Sequence, residues 1–578
     1  MIGPIESFDA PDDRPFLWAP AARSVEVARG GTNVACEHVG EHWIAPGDWP
    51  QGTRYRFVVD GVAVPDPRSW SQPDGVHGES EWLRPELGAP WSGAVASLER
   101  AVIYELHLGT FSAAGTFLGA IDHLDHLVDL GVTHVELMPV AAFDGEVGWG
   151  YDGVALFATH PAYGTFTQLR RLVDACHERG LAVLVDVVLN HLGPSGNYLS
   201  RSGPYFTDRY STPWGDALNL DGPGADGVRR HLIDVARHWL EHADADGLRL
   251  DAVHALFDTS AVTLLEQLAD EVRRLGARTG RPRLLVAESD RNDPRLVTPA
   301  PVGTGLDGVW SDDLHHTLHV ALTGERRGYY EDVGDKDLQL ALREAMTHQG
   351  RWSPHRRRTV GRSAWGTPSS RFVVCLQNHD QVGNRAAGER LHHLVGVDRT
   401  VAAAALVLLS PFAVLVFQGE EWATSCPFPY FSDHAGELGE AVRDGRLAEF
   451  AAFGWPADKV ADPQDRATFA AAVLRWDELD RPDHAKVLSW YRALIELRRS
   501  HPAFAPHELP DDSRVERDGS LVLVRRGALV VLVNLGEAAA AWSAPVEGTE
   551  LLRRGSIDAT GDAPLRLGPG AVLVLERR

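Results

Sequence analysis

The chain reads as an α/β protein: a (β/α)8 barrel of the TIM type flanked by an N-terminal and a C-terminal β-sandwich. Two observations predict the architecture. From about residue 100 to 500, short apolar strands alternate with amphipathic helices, the pattern of parallel βα units, and eight such strands can be counted. On either side the pattern changes to period-two alternation between turn residues, as in half-buried antiparallel strands. A third observation concerns the barrel rim. Ionisable groups follow apolar runs at Asp186-Val187-Val188-Leu189-Asn190-His191, Arg249-Leu250-Asp251, Ala287-Glu288-Ser289 and Asn378-His379-Asp380-Gln381. A carboxylate at the end of a buried strand is costly without a partner or a task, and a barrel carries its chemistry at those strand ends.

The first sandwich spans residues 1–88. Arg23–Val27 and Tyr55–Val59 alternate polar with apolar, and Gly30-Gly31 and Asp60-Gly61 supply turns. Pro65, Pro67, Pro73, Pro85 and Pro90 break up the segment leading out. The barrel occupies 89–500, with strands at Val102–Leu108, Val132–Met138, Ala182–Leu189, Gly247–Asp251, Leu284–Glu288, Gly308–Trp310, Phe372–Leu376 and Ala413–Phe417. Leu118, Ile121, Leu124, Leu127 and Val128 predict one helix between the first two strands, and a second runs from Leu169 to Arg179. The long gap after His191 holds Tyr198, Tyr205, Phe206, Tyr210 and Trp214 and predicts an excursion forming one wall of a cleft. The longest apolar stretch, Val401–Phe417, is interrupted at Ser410-Pro411 and is short for a bilayer, so it reads as a buried helix followed by a buried strand. In 501–578, Leu521–Val524 and Leu529–Val533 flank Arg526-Gly527 as a hairpin, and Leu551-Leu552 and Val572–Leu575 add strands to the second sandwich.

Composition narrows the partners. The 578 residues are 44% hydrophobic and 24% charged, ordinary for a globular protein with a large core. With 56 basic against 80 acidic side chains the formal charge is −24, which argues against nucleic acid and anionic membrane and suits a neutral substrate. Cys36, Cys176, Cys375 and Cys426 form no CxxC pair, so buried free thiols in a reducing compartment are expected rather than zinc or redox chemistry. Met1–Ala10 contains Glu6 and Asp9 and no apolar core, so no signal peptide is read and a cytoplasmic location is expected.

Asp251, Glu288 and Asp380 follow strands four, five and seven. Two carboxylates flanking a sugar bond are what glycoside hydrolysis needs, one ionised to attack and one protonated to release the leaving oxygen. Arg249 lies two residues before Asp251, on the same side of the strand, and would keep that carboxylate charged, as a nucleophile requires. Glu288 follows Leu284-Leu285-Val286-Ala287 with no cation adjacent in sequence, the apolar setting of a general acid. Asp186 is expected to pair with Arg249 as structural support. His191 and His379 suit hydrogen bonds to sugar hydroxyls. The glycines of Gly148-Trp149-Gly150-Tyr151-Asp152-Gly153 suit a loop that presents an aromatic face to a pyranose ring, with simple loop packing as the alternative. The histidines of Asp312-Asp313-Leu314-His315-His316-Thr317-Leu318-His319 invite a metal reading, but no HExxH is present, and a polar rim loop is the better account. No Asp-rich calcium loop appears, so no metal or other cofactor is expected.

In order, these four segments resemble the motif regions of the α-amylase family of glycoside hydrolases. The resemblance implies that Asp251 is the nucleophile, Glu288 the acid/base and Asp380 the residue holding hydroxyls of the distorted sugar, with retention through a covalent glycosyl-enzyme. Within that family the chain looks most like the maltooligosyltrehalose trehalohydrolases, nearly end to end. The specific parts are Glu136-Leu137-Met138-Pro139-Val140, the Gly148–Gly153 loop, Gly247–His254, Ala287–Asp290, Asp312–His316, Gln377–Arg385, Pro427–His434 and Asp462–Asp465. Such enzymes cut the α-1,4 bond next to a terminal trehalose unit, which makes the neutral glucan maltooligosyltrehalose the expected substrate. The substrate-contacting set is then Tyr151, Asp152, His191, Arg249, His254, Asp312, Asp313, His316, His379 and Gln381. The chain departs from its relatives at Thr165-Phe166, where they tend to show Gly-Pro, and at Leu189, where Tyr is common. The rival is an α-1,4-glucan branching enzyme, which usually carries Glu where this chain has Gln381. A non-catalytic glucan-binding protein is the alternative from another class, and such a chain should have lost one of the three acids.

Overall fold

The structure is a computed structural model that describes residues 13–93, 97–505, 507–510, 513–558 and 564–577. Met1–Ala10, read above for a targeting sequence, lies outside them. Eight parallel strands close a barrel: β1 (Val102–Leu106), β2 (His134–Leu137), β3 (Ala182–Val187), β4 (Gly247–Leu250), β5 (Leu284–Ala287), β6 (Gly308–Trp310), β7 (Phe372–Cys375) and β8 (Ala413–Phe417), with β8 pairing back onto β1. Each strand predicted from the sequence is present. Alternate side chains point inward. Ile103, Leu184, Val286, Trp310, Val373, Cys375 and Leu415 fill the interior. Two residues further along β1 and β3, and at matching places on β2 and β4, the inward positions are Glu105, Asp186, Glu136 and Arg249, all buried. The barrel thus carries a charged layer directly beneath its rim.

Helices cover the outside. The segment between β1 and β2 forms two helices rather than one, α1 (Phe117–Ile121) and α2 (Leu124–Leu130), broken at Asp122-His123. Phe117, Ala120, Leu124, Leu127 and Leu130 are buried, whereas Val128 is 40% exposed. The break rotates the second helix, so the inward stripe differs from the one read across a single continuous helix. Next, α3 (Phe166–Glu178) starts at a capping box in which Thr165 Oγ1 accepts from the Gln168 N–H and the Gln168 side chain accepts from the Thr165 N–H. This gives Thr165, one of the two departures, a local role. The outer layer also includes α4 (Ala225–Arg237), α5 (Leu264–Thr279), α6 (Asp313–Thr323), the short α7 (His379–Gly383) and α8 (Val397–Leu408). The Val401–Phe417 stretch is the buried helix α8 followed by the buried strand β8. No helix among the described residues is long and apolar enough to cross a membrane.

Near the N-terminus, a three-stranded and a five-stranded antiparallel sheet share a core of Leu17, Val25, Val27, Trp43, Tyr55 and Phe57. Trp18 leaves that core for the barrel. Its ring meets Tyr205 edge-on at 5.4 Å. It lies against Gly203 and Gly227, where an added Cβ would fall 2.5 and 2.0 Å from ring atoms. The connection into β1 is clasped from below: Arg170 Nη2 donates to Ala89 O (3.1 Å), Arg281 Nη1 to Trp91 O (3.1 Å), and the Trp91 N–H to Asp244 Oδ2 (2.7 Å). At the other end, a five-stranded and a three-stranded sheet enclose Leu521, Leu523, Leu532, Trp542, Leu567 and Leu573. The opposite face of the larger sheet, with Val522, Val524, Val531 and Val533, joins the barrel's core.

Candidate active site

Arg249 is the hub. Its guanidinium is fully buried, with Nη1 2.8 Å from Asp186 Oδ2 and 2.7 Å from Asp251 Oδ1, and Nη2 3.4 Å from Glu288 Oε2. The strand registers produce this: Asp186 on β3 stands beside Arg249 on β4, and Asp251 and Glu288 follow the last residues of the adjacent β4 and β5. The Trp310 ring covers the cation at 4.4 Å. Asp251 Oδ2 accepts from Asn190 Nδ2 (3.0 Å), and Tyr151 Oη donates to Asp186 Oδ2 (2.7 Å). Glu288 therefore has a cation nearby in space although none adjoins it in sequence. Its Oε2 also accepts from the Ala252 N–H at 2.6 Å. Ala252 is held left-handed, φ 37° and ψ 50°, an unusual conformation for a residue with a Cβ and one that clusters at functional sites. Burial pushes the Glu288 carboxyl up to about 8; Arg249 opposes the shift, and Asp251 and Asp380 add to it.

The third acid enters from β7. Asn378 caps α7, its Oδ1 accepting from the Asp380 N–H (2.9 Å) and the Gln381 N–H (3.3 Å), and this fixes the turn that presents Asp380. Asp380 is half-exposed and accepts from Asn384 Nδ2 at 3.3 Å. His379 lies beside it, with Nε2 3.5 Å from Asp380 Oδ1, while Nδ1 meets Glu105 Oε1 at 2.5 Å and the His379 N–H donates to Glu105 Oε2 at 3.0 Å. Burial works against a charged ring, yet Glu105 and Asp380 lift His379 to about 9, so it is an imidazolium at neutral pH. Gln381 uses both ends of its carboxamide: Oε1 accepts from the Asn378 N–H and Nε2 donates to Asp312 Oδ1, each at 3.0 Å. A carboxylate there could not make the second bond.

Comparison with known proteins fixes the family. Residues 71–214 match the family model of the alpha amylase catalytic domain. A crystal structure from Salmonella typhimurium named for an alpha amylase superposes with a TM-score of 0.90 at 36% identity, covering 99% of both chains. A pullulanase from Paenibacillus barengoltzii shares the fold, with a TM-score of 0.70 at 20% identity. Malto-oligosyltrehalose trehalohydrolase of Arthrobacter ramosus is 46% identical over 96% of this chain and 98% of its own. The enzyme of that name from Mycobacterium tuberculosis H37Rv is 45% identical over 92% and 96%. The chain belongs to the malto-oligosyltrehalose trehalohydrolase family. It is a glycoside hydrolase built on the alpha-amylase catalytic domain. A 1,4-alpha-glucan branching enzyme of Bacillus caldolyticus matches only 51% of the chain, at 28% identity.

The remaining trehalohydrolase positions divide between the site and its supports. His191 bonds Asn190 Oδ1 through Nδ1 (2.7 Å) and Tyr151 O through Nε2 (3.1 Å), and burial lowers its pKa. Trp214, at the tip of the excursion, stacks on His191 at 4.3 Å and is 48% exposed, so this part of the excursion reaches the site. Tyr205 instead packs against Trp18. His254 is 3.8 Å from Asp290, and burial lowers its pKa. Asp152 is half-buried, 3.3 Å from His434 Nε2. Two expectations are corrected. Asp312–His316 is no loop: Asp312 precedes α6, and the following residues form its first turn. Asp313 faces inward, accepting from Asn292 Nδ2 (2.6 Å) and the Thr347 N–H (2.5 Å), and His316 stacks on Tyr329 at 4.7 Å. Asp312 stays at the site, its carboxyl pushed up to about 7 by burial and by Asp380. Trp149 presents no sugar-stacking face. It is 5% exposed, stacked on Phe428 at 5.4 Å, and its indole N–H donates to Pro429 O. Tyr151 alone of that pair reaches the acids. The sequence reading missed Glu105 and Asn190 as direct partners, although an acid inside Val102-Ile103-Tyr104-Glu105-Leu106 breaks an otherwise apolar strand.

Proposed function

We propose that the chain hydrolyses the α-1,4 bond beside the terminal trehalose unit of maltooligosyltrehalose, releasing trehalose and a maltooligosaccharide with retained configuration. The observation that carries this reading is the single guanidinium against which Asp251 and Glu288 both stand, at 2.7 and 3.4 Å, on neighbouring strand ends. Arg249 pairs directly with Asp251, the nucleophile, whereas burial keeps Glu288 protonated below about 8, as the general acid must be. An Asp251 oxygen attacks the anomeric carbon as the bond to the leaving oxygen breaks, and that oxygen takes the Glu288 proton. With Oε2 engaged by Ala252, Oε1 is the oxygen to which we assign the proton. Water then gives a proton back to Glu288 while its oxygen displaces Asp251, which restores both groups. Asp380 holds sugar hydroxyls next to the imidazolium of His379, with Tyr151 stacked on His379 at 5.1 Å and His191 bonded to the Tyr151 carbonyl.

The relatives' names support the trehalose-ended substrate. Four buried free thiols fit a reducing compartment, and we assign the chain to the cytoplasm. The test incubates purified protein with maltotriosyltrehalose and, separately, with amylose. Free trehalose from the first supports the reading. New α-1,6 branches in the amylose, with no trehalose from the first substrate, would overturn it in favour of a branching transferase.

A further inference from the structure

Beneath the catalytic acids lies a carboxyl that the proposed chemistry does not use. Glu136 sits inside β2 at 1% exposure, and neither of its oxygens has a hydrogen-bond partner among the described residues. The strand register sets it directly beside Glu105 on β1. The groups that act on it are Glu105, Arg249 on β4, Asp186 on β3 and His379 on α7. Two carboxyls side by side in a dry interior do not both ionise. Of the two, Glu105 takes the available donors: it accepts from both His379 Nδ1 and the His379 backbone N–H. Glu136 has no such donors.

Resting on the hydrolase reading above, we propose that Glu136 is a positioning residue that keeps its proton and serves as an internal polar solvent for the Glu105–His379 and Asp186–Arg249 pairs supporting the catalytic floor. Burial and the neighbouring Glu105 both push its carboxyl well above the usual range, in the same direction as the geometry. Near both pairs though hydrogen-bonded to neither, a neutral carboxyl contributes a fixed dipole where water is excluded. A second charge there would instead compete with Glu105 for His379.

Two variants test this. Infrared difference spectra of wild type minus Glu136→Gln at neutral pH should show the carbonyl stretch of one protonated carboxylic acid, a signal that a structural role with an ionised carboxylate does not give. Glu136→Leu removes the dipole and should lower kcat more than about tenfold with little change in KM, and Glu136→Gln should restore it to within about threefold of wild type. The proposal falls if the difference spectrum lacks that band, if Glu136→Leu turns over like wild type, or if Glu136→Gln is as slow as Glu136→Leu. The spectrum needs no substrate, so it stands or falls apart from trehalose release by the wild type, which tests the hydrolase reading itself.

Discussion

Asp251 and Glu288 are both carboxyls at strand ends, and their surroundings separate them. Asp251 takes a 2.7 Å bond from Arg249 and a 3.0 Å bond from Asn190, both suited to an anion. Glu288 meets the same guanidinium at a longer 3.4 Å and is otherwise desolvated. Asp251→Ala is expected to abolish turnover while the protein stays folded, since it removes the carboxylate proposed as nucleophile. Glu288→Gln keeps the acceptor for the Ala252 N–H and loses only the transferable proton, so kcat should fall by about 10²–10⁴. Circular dichroism of both variants checks folding. The sign of the pH dependence follows from the raised carboxyl. Below about 8 Glu288 holds its proton and the enzyme is active; as pH rises through about 8 the acid is lost and kcat/KM declines. A wild-type profile flat well above that value would contradict the assignment. The three acids were legible because each breaks an apolar run. Glu105 and Glu136 break apolar runs too, but inside their strands, where a reading confined to strand ends passes over them. The cation beside Glu288 could not be seen along the chain, since it comes from the neighbouring strand through barrel register.

At the scale of elements, caps and turns do the aiming. Asn378 orients Asp380 through its cap on α7, and Thr165 secures α3. Thr165→Ala should cost about 1 kcal/mol, as loss of a capping hydroxyl does, and chemical denaturation would measure it without any loss of activity. Barrel strands were legible to within two residues at either end, because a buried parallel strand is a short, mainly apolar run. Helix breaks were less so: nothing in the spacing of Leu118 to Val128 announces the kink at Asp122-His123, which arises where the chain bends to keep Leu124 and Leu127 on the core. The Asp312 segment misled for a related reason. Acids and histidines in series read as a polar loop, yet Asp313 and His315 are turned into the protein, His315 Nδ1 meeting Leu376 O at 2.6 Å.

Across the whole molecule, Trp18 joins the first pair of sheets to the barrel by filling the space left by two glycines. Gly227→Ala lies within α4, where the change usually stabilises by up to about 1 kcal/mol. Here the new Cβ would fall 2.0 Å from the Trp18 ring, so the sign should invert to a loss of about 1–3 kcal/mol, and limited proteolysis should find the N-terminal sheets easier to cut. A thermal midpoint at or above wild type would show that the ring has room to move. The barrel is closed by β8 pairing with β1, and Glu105 meets His379 from 274 positions away. While the ribosome is still making this chain, the seven earlier strands present two bare sheet edges, on β1 and β7, that only the eighth can seal. Until then the nascent protein is inert and prone to stick to its neighbours. A truncated message would yield aggregates rather than a weak catalyst, and cells making this protein in quantity should lean on chaperones to shelter that open seam.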